Sequence, residues 1–469
     1  MGRGMGMPIV PGRTRKSMPR ALRALLWSAL AIVLLLLMLA AVVLLVNRRD
    51  EVPSGDARAL EAIVASARPV DPADDALAGL ASLGATAVEQ AGPHAAARLV
   101  DAAGRDARSR RAARGERLDD ALGACSARRD DCARLLAAAE PDMPAWIARE
   151  AALLAAYRQV LARRGWHEGP PPRSPMDWRP APLSLALQGQ ELLLMQAFVD
   201  AGAGDATAVR EALEADTRFW RGGLAGADTL LTKMVATAAV QRNLALGTLA
   251  VQRLPATAIA AAIPPAWKLP VSASERSLLG VLAWEWKLGD NFMRRTSADA
   301  RGKLQARGAD APSFNSLFKP QATSNANAAM MRRIADASGA PYPQLQRSLR
   351  QLDAWIEDRT RFPYSIYNPV GRILGSIAAP AYAGYGRRLA DLEARRRAVL
   401  AVLGLHAAGI APVQVASALA SSPHRNPYTG RAFGWDAAAS CVRIGGIDRA
   451  EGRGCVAYVP TTASPTPTH

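Results

Sequence analysis

Residues 21–46 read ALRALLWSALAIVLLLLMLAAVVLLV, an apolar run interrupted only by Arg23 and Ser28. As a helix the run is about 39 Å long, enough to cross a hydrocarbon core of roughly 30 Å with tilt. The chain beyond it is thereby committed to one side of a membrane, and the flanks say which. Arg3, Arg13, Arg15, Lys16, Arg20 and Arg23 come first with no acidic residue among them, whereas Arg48 and Arg49 are offset at once by Asp50 and Glu51. The positive-inside bias puts the basic tail 1–20 in the cytoplasm and residues 50–469 across the membrane. A cleaved signal peptide has an apolar stretch of about 7–15 residues ending in a small-x-small site. Val42-Val43-Leu44-Leu45-Val46 offers no such site, so the expectation is an uncleaved signal-anchor, residues 21–46, in contact with membrane lipid.

The remaining composition favours helices. Of 469 residues 50% are hydrophobic but only 5% aromatic, and alanine, the best helix former, dominates. The formal charge of +17 would suit anionic lipid or an acidic polymer. A nucleic-acid partner is excluded by the compartment. Alanine and arginine enrichment also follows from GC-rich coding alone, so charge by itself assigns no ligand.

Working outward, residues 47–143 form a membrane-proximal helical region that includes the basic run Arg105–Arg117, expected to be a solvated helix or loop. A helical domain over 144–363 follows. It opens with Trp146, Ile147, Leu153, Leu154, Tyr157, Val160 and Leu161 at helical spacing. Helices are expected over Leu183–Ala201, Asp205–Trp220 with Asp205 as cap, Leu224–Leu254 as the longest soluble helix, and 274–291 with Ser274 as cap. Residues 296–327 read as polar connection, before helices near 328–338 and 344–359. The last region, 364–459, has a helix started by Asn368 and Pro369, a long helix after Pro380 whose outer face is Arg395-Arg396-Arg397, and a β element. Residues 460–469, PTTASPTPTH, read as a disordered tail. The fold class is therefore mainly α: an anchor, an irregular bundle or solenoid-like helical body, and a small C-terminal β-hairpin element.

Four cysteines beyond the membrane point to disulfides. On one helix Cys125 and Cys132 would lie about 10 Å apart, too far to bridge, so a polar turn must separate them. Cys441 and Cys455 flank CVRIGGIDRAEGRGC, two short strands around a Gly-rich loop. Opposing the two cysteines directly also pairs Val442 with Gly454 and Ile444 with Gly452, leaving 445–451 as the loop.

No catalytic fingerprint of the nucleophile-elbow, zinc-protease, P-loop or dinucleotide type is present, and no His or Cys cluster has metal-ligand spacing. No cofactor and no metal is expected. Glu191 and Asp228 fall inside apolar helices and are the available acid/base candidates; pairing with an arginine or a place at a helix end is the plainer role. Trp284 and Trp286 could line a groove or simply pack.

One stretch carries a resemblance. Asn426, Pro427, Tyr428, Thr429, Gly430 and Arg431 match the end of the pattern Pro-x-Asp/Asn-Pro-Phe/Tyr-Thr/Ser-Gly-Lys/Arg of the C-terminal module in uncharacterised membrane-anchored bacterial proteins, with Pro423 one residue earlier than the pattern's proline. That module is in turn similar to the loop and short sheet of secretion pseudopilins. More loosely, Trp146–Trp166 and Phe219–Leu254 resemble uncharacterised single-pass Gram-negative envelope proteins. The resemblance implies an inner-membrane protein with a periplasmic body and supplies no activity. From the residues themselves, Asn426, Pro427, Tyr428 and Gly430 make a structural turn, with Tyr428 covering the junction between hairpin and helix. The expectation is a non-enzymatic envelope scaffold or binding protein working with another envelope protein. The alternative is a hydrolase or lyase acting on a cell-wall polymer through a carboxylate such as Glu191.

Overall fold

The structure, a computed structural model, describes residues 20–67, 70–83, 109–110, 114–127, 129–178, 180–306, 317–361, 365–447 and 454–460. The tails 1–19 and 461–469, much of the basic run 105–117 and residues 84–103 of the weak helices expected over 71–103 lie outside them.

The apolar run forms one helix, α1, Arg20–Val46, with none of its residues buried. A second helix, Leu230–Val251, is also long and apolar enough to span a membrane, but most of it is buried in the body. It packs against Leu183–Gly202, Ala206–Gly226 and, far away in sequence, Tyr385–Ala407. A solenoid repeat touches only its neighbours, so this arrangement is a bundle around a central helix. A second group of helices, Leu279–Ala306, Pro320–Gly339, Tyr342–Arg361 and Pro369–Ala383, packs with α2, Gly55–Ala65.

The body closes around buried polar groups as well as apolar ones. The Asp216 carboxylate accepts from Tyr157 Oη at 2.6 Å, Gln190 Nε2 at 2.8 Å and Asn243 Nδ2 at 2.8 Å. Trp220 Nε1 donates to Tyr157 Oη, and Trp267 Nε1 to Thr217 Oγ1 and Asn243 Oδ1. Gly189 makes this hub possible: a Cβ there would stand 2.6 Å from Tyr157 Cγ. Burial pushes the Asp216 carboxyl up, against the pull of those three donors.

The residues that follow α1 are hydrogen-bonded to the body. Asn47 Nδ2 donates to the Ile366 carbonyl at 2.6 Å, and the Asn368 N–H donates to Asn47 Oδ1 at 2.8 Å. Asp50 accepts from the Gln321 and Ala322 N–H groups, so it supplies the first turn of Pro320–Gly339 with the acceptor that Lys319 at the cap position lacks. Asn325 donates to Glu51 and to the Val52 carbonyl.

Several expectations are corrected. The expected helix over Leu224–Leu254 is two helices: the chain leaves the helical region at Ala227 and restarts at Leu230 with Thr229 as cap, accepting from the Thr232 N–H. The longest soluble helix is Leu279–Ala306. Within the expected connection 296–327, residues 296–306 continue the preceding helix and residues 320–327 belong to the next, which Pro320 opens well before 328. The cap near 274 is Ser272, which forms a capping box with Glu275. Arg395 and Arg396 do not form an outer face; both are buried. The β element is a three-stranded antiparallel sheet in the order β1 (Gly434–Asp436), β2 (Cys441–Arg443), β3 (Cys455–Ala457). Arg443, not Cys441, stands opposite Cys455, and Val442 faces Val456. The register is set by burying Val442 and Val456 together, and the Cys441–Cys455 bridge runs diagonally across it.

Candidate functional site

The matched turn is built from Asn426 outward. Its Oδ1 accepts from the Tyr428 and Thr429 N–H groups, while its Nδ2 donates to the Ile444 and Gly445 carbonyls. One buried amide thus makes an Asx turn and holds that turn on the sheet. Pro427 is buried beside it, and Gly430 takes φ +67°, a value that favours glycine. Tyr428 Oη donates to Asp391 Oδ1 at 2.5 Å, and the same oxygen accepts from the Ile447 N–H. Burial, and then the Asp391 charge, push the Tyr428 phenol far up, so it stays a neutral donor. The loop after β2 can reach Asp391 only because residue 446 is glycine, where a Cβ would stand 2.5 Å from Asp391 Oδ2.

These contacts press the turn against the Tyr385–Ala407 helix and leave a groove of about 480 Å³ beside it, lined in part by Lys268, Arg396, Arg397, His424 and Arg425. Glu393 organises its floor: Oε1 and Oε2 accept from the Arg396 guanidinium at 2.7 and 2.8 Å, and Oε1 from Arg397 Nε at 2.7 Å. Burial alone would raise the Glu393 carboxyl, but the hydrogen bonds and charge of Arg396, with Arg397 and the Val271 N–H, hold it below the usual range. Arg396 also donates to the Trp267 carbonyl. His424 is held below the ordinary imidazole value by burial first and by the Arg396 and Arg397 charges second. The groove combines an imidazole that resists protonation with an excess of fixed cations, which is a setting for an anionic group.

The other candidates have structural places. Glu191 accepts from Arg114 Nη1 at 2.9 Å and lies 3.6 Å from Arg242 Nη2, beside a cavity of about 110 Å³. Arg114, expected in a solvated run, is therefore buried and ion-paired. Asp228 is in the turn between two helices, not inside one, and accepts from the Glu168 N–H, with His167 Nδ1 at 2.5 Å. Trp284 and Trp286 are buried, each donating its Nε1 to a backbone carbonyl. Cys125 is bonded to Cys132 across a helix break, and Cys441 to Cys455; both bridges line one cavity of about 70 Å³. Among the described residues no group of three His, Cys, Asp or Glu side chains is arranged to hold a metal.

Sequence reasoning missed Lys268, Asp391 and Glu393. The i,i+3 and i,i+4 spacing of Glu393 to Arg396 and Arg397 was a usable signal for the pairing. Nothing local announces that Lys268 lines the same groove as His424. Comparison with family models, curated proteins and solved structures returned no match.

Proposed function

We propose that the chain is a non-enzymatic binding or scaffold protein, held in the inner membrane by α1 with its body in the periplasm, that receives an acidic segment of another envelope protein in the groove beside the Asn426–Gly430 turn. The observation that carries this reading is the surplus of cations over carboxylates along an open groove. The anchor helix and the two disulfides support an oxidising compartment beyond a membrane. The arginine clamp on Glu191 supports a structural carboxylate over an acid/base one.

A fluorescent hexaglutamate peptide titrated into the detergent-solubilised full chain tests it. Binding should weaken with salt, and K268E/R425E, which changes two side chains at the groove's edge, should reduce it at least tenfold with little effect on melting. A bound anion raises the His424 pKa from its depressed value, so affinity should increase as pH falls below neutrality. Equal binding by wild type and double variant would remove the groove from the proposal.

A further inference from the structure

The Pro369–Ala383 helix is inside out. Gly371 and Gly375, four residues apart, face the body: a Cβ on Gly371 would stand 2.0 Å from Thr323 Oγ1, and one on Gly375 would lie 3.6 Å from Asn327 Oδ1. The large residues Ile373, Leu374 and Ile377 are exposed, Ile377 to 72%, and so is Ile366 just before the helix. A helix packing only against protein would present the reverse pattern.

Its position explains the pattern. The Ile366 carbonyl and the Asn368 N–H are both bonded to Asn47, the residue that follows the apolar run, so this helix begins where the anchor leaves the hydrocarbon. Even if the helix stood upright, Ile373 would be about 8 Å and Ile377 about 14 Å beyond that level. The headgroup layer is roughly 5–8 Å deep on each side, and interfacial helices bury their apolar face about 5–10 Å. An inclined helix therefore brings all four side chains to lipid. The local charges match: Arg48 and Arg49 are exposed here, while Asp50 and Glu51 accept bonds from the body.

We infer that the Pro369–Ala383 helix is a second membrane contact, lying on an anionic lipid surface beside α1 with Ile373, Leu374 and Ile377 in the interface. The inference rests on the reading of α1 as an anchor. Two contacts would fix the body's orientation, where one helix alone leaves it free to swivel.

All four native cysteines are in disulfides, so a single added cysteine labels cleanly. Ile377→Cys, Leu35→Cys in the anchor and Val413→Cys, which is 88% exposed, would each carry the dye NBD in the full chain. The protein is reconstituted into phosphatidylethanolamine–phosphatidylglycerol vesicles containing shallow nitroxide lipid. The 377 probe should be blue-shifted and quenched several-fold more than the 413 probe, and replacing phosphatidylglycerol by phosphatidylcholine should lessen both effects. A 377 probe that behaves like 413 while the Leu35 probe is quenched overturns the inference and leaves the anchor intact. A blue shift at 377 without lipid quenching means that protein, such as a second copy, covers the patch, and also overturns it. An unquenched Leu35 probe overturns the anchor reading itself.

Discussion

The Asp216 hub and the basic groove hold similar side chains in opposite economies of charge. In the hub one buried carboxylate collects donors from Tyr157, Gln190 and Asn243, all of them buried. In the groove Glu393 is matched to Arg396 and Arg397, and Lys268, His424 and Arg425 remain along the rim. The difference teaches where to look for function in a body rich in buried polar groups. A closed polar network specifies packing, whereas an open surplus of one sign specifies a visitor.

The comparison breaks most visibly at Asp216. Asp216→Ala strands three buried donors, each costing about 1–3 kcal/mol when unpaired, so a loss of about 4 kcal/mol is expected in chemical denaturation. Hexaglutamate affinity of the remaining folded protein should not change; if affinity falls with stability, hub and groove are one unit. Next comes Asn426→Ala, which removes the Asx turn and both bonds to the sheet. About 2 kcal/mol should be lost, and here affinity should fall as well, because the turn is a wall of the groove.

The smallest effect is a slope. Burial lowers the Lys233 pKa from 10.5 to about 8. Below pH 8 folded and unfolded chains both carry the proton. Between 8 and 10.5 only the unfolded chain holds it, so this residue adds stability as pH rises through that window. The wild-type melting curve minus that of Lys233→Met should climb across the window, and a flat difference would mean that the ammonium is solvated.

The legible parts were those with local signals. The apolar α1 helix, the Asp205 cap and the Pro369 helix start can each be read from local sequence. What failed needed partners far along the chain. The Tyr385–Ala407 helix was expected to expose its arginines, yet it is packed against Leu230–Val251, Ala256–Ala262 and the sheet. The groove unites Lys268 with Arg425, and no periodicity connects them. The sheet register depended on which valines would be buried together, a tertiary choice that the cysteine spacing did not contain.

The bonds at Asn47 also have a timetable. Their partners lie 319 and 321 residues later in the chain. At about 5–20 residues per second of synthesis, roughly 16 to 64 s pass between the emergence of Asn47 and that of Asn368. Throughout that interval the bonds from Asn47 to residues 366 and 368 cannot form, while the Asp50 partners Gln321 and Ala322 emerge sooner. A chain cut short before residue 366 would therefore lack both bonds that join Asn47 to the body.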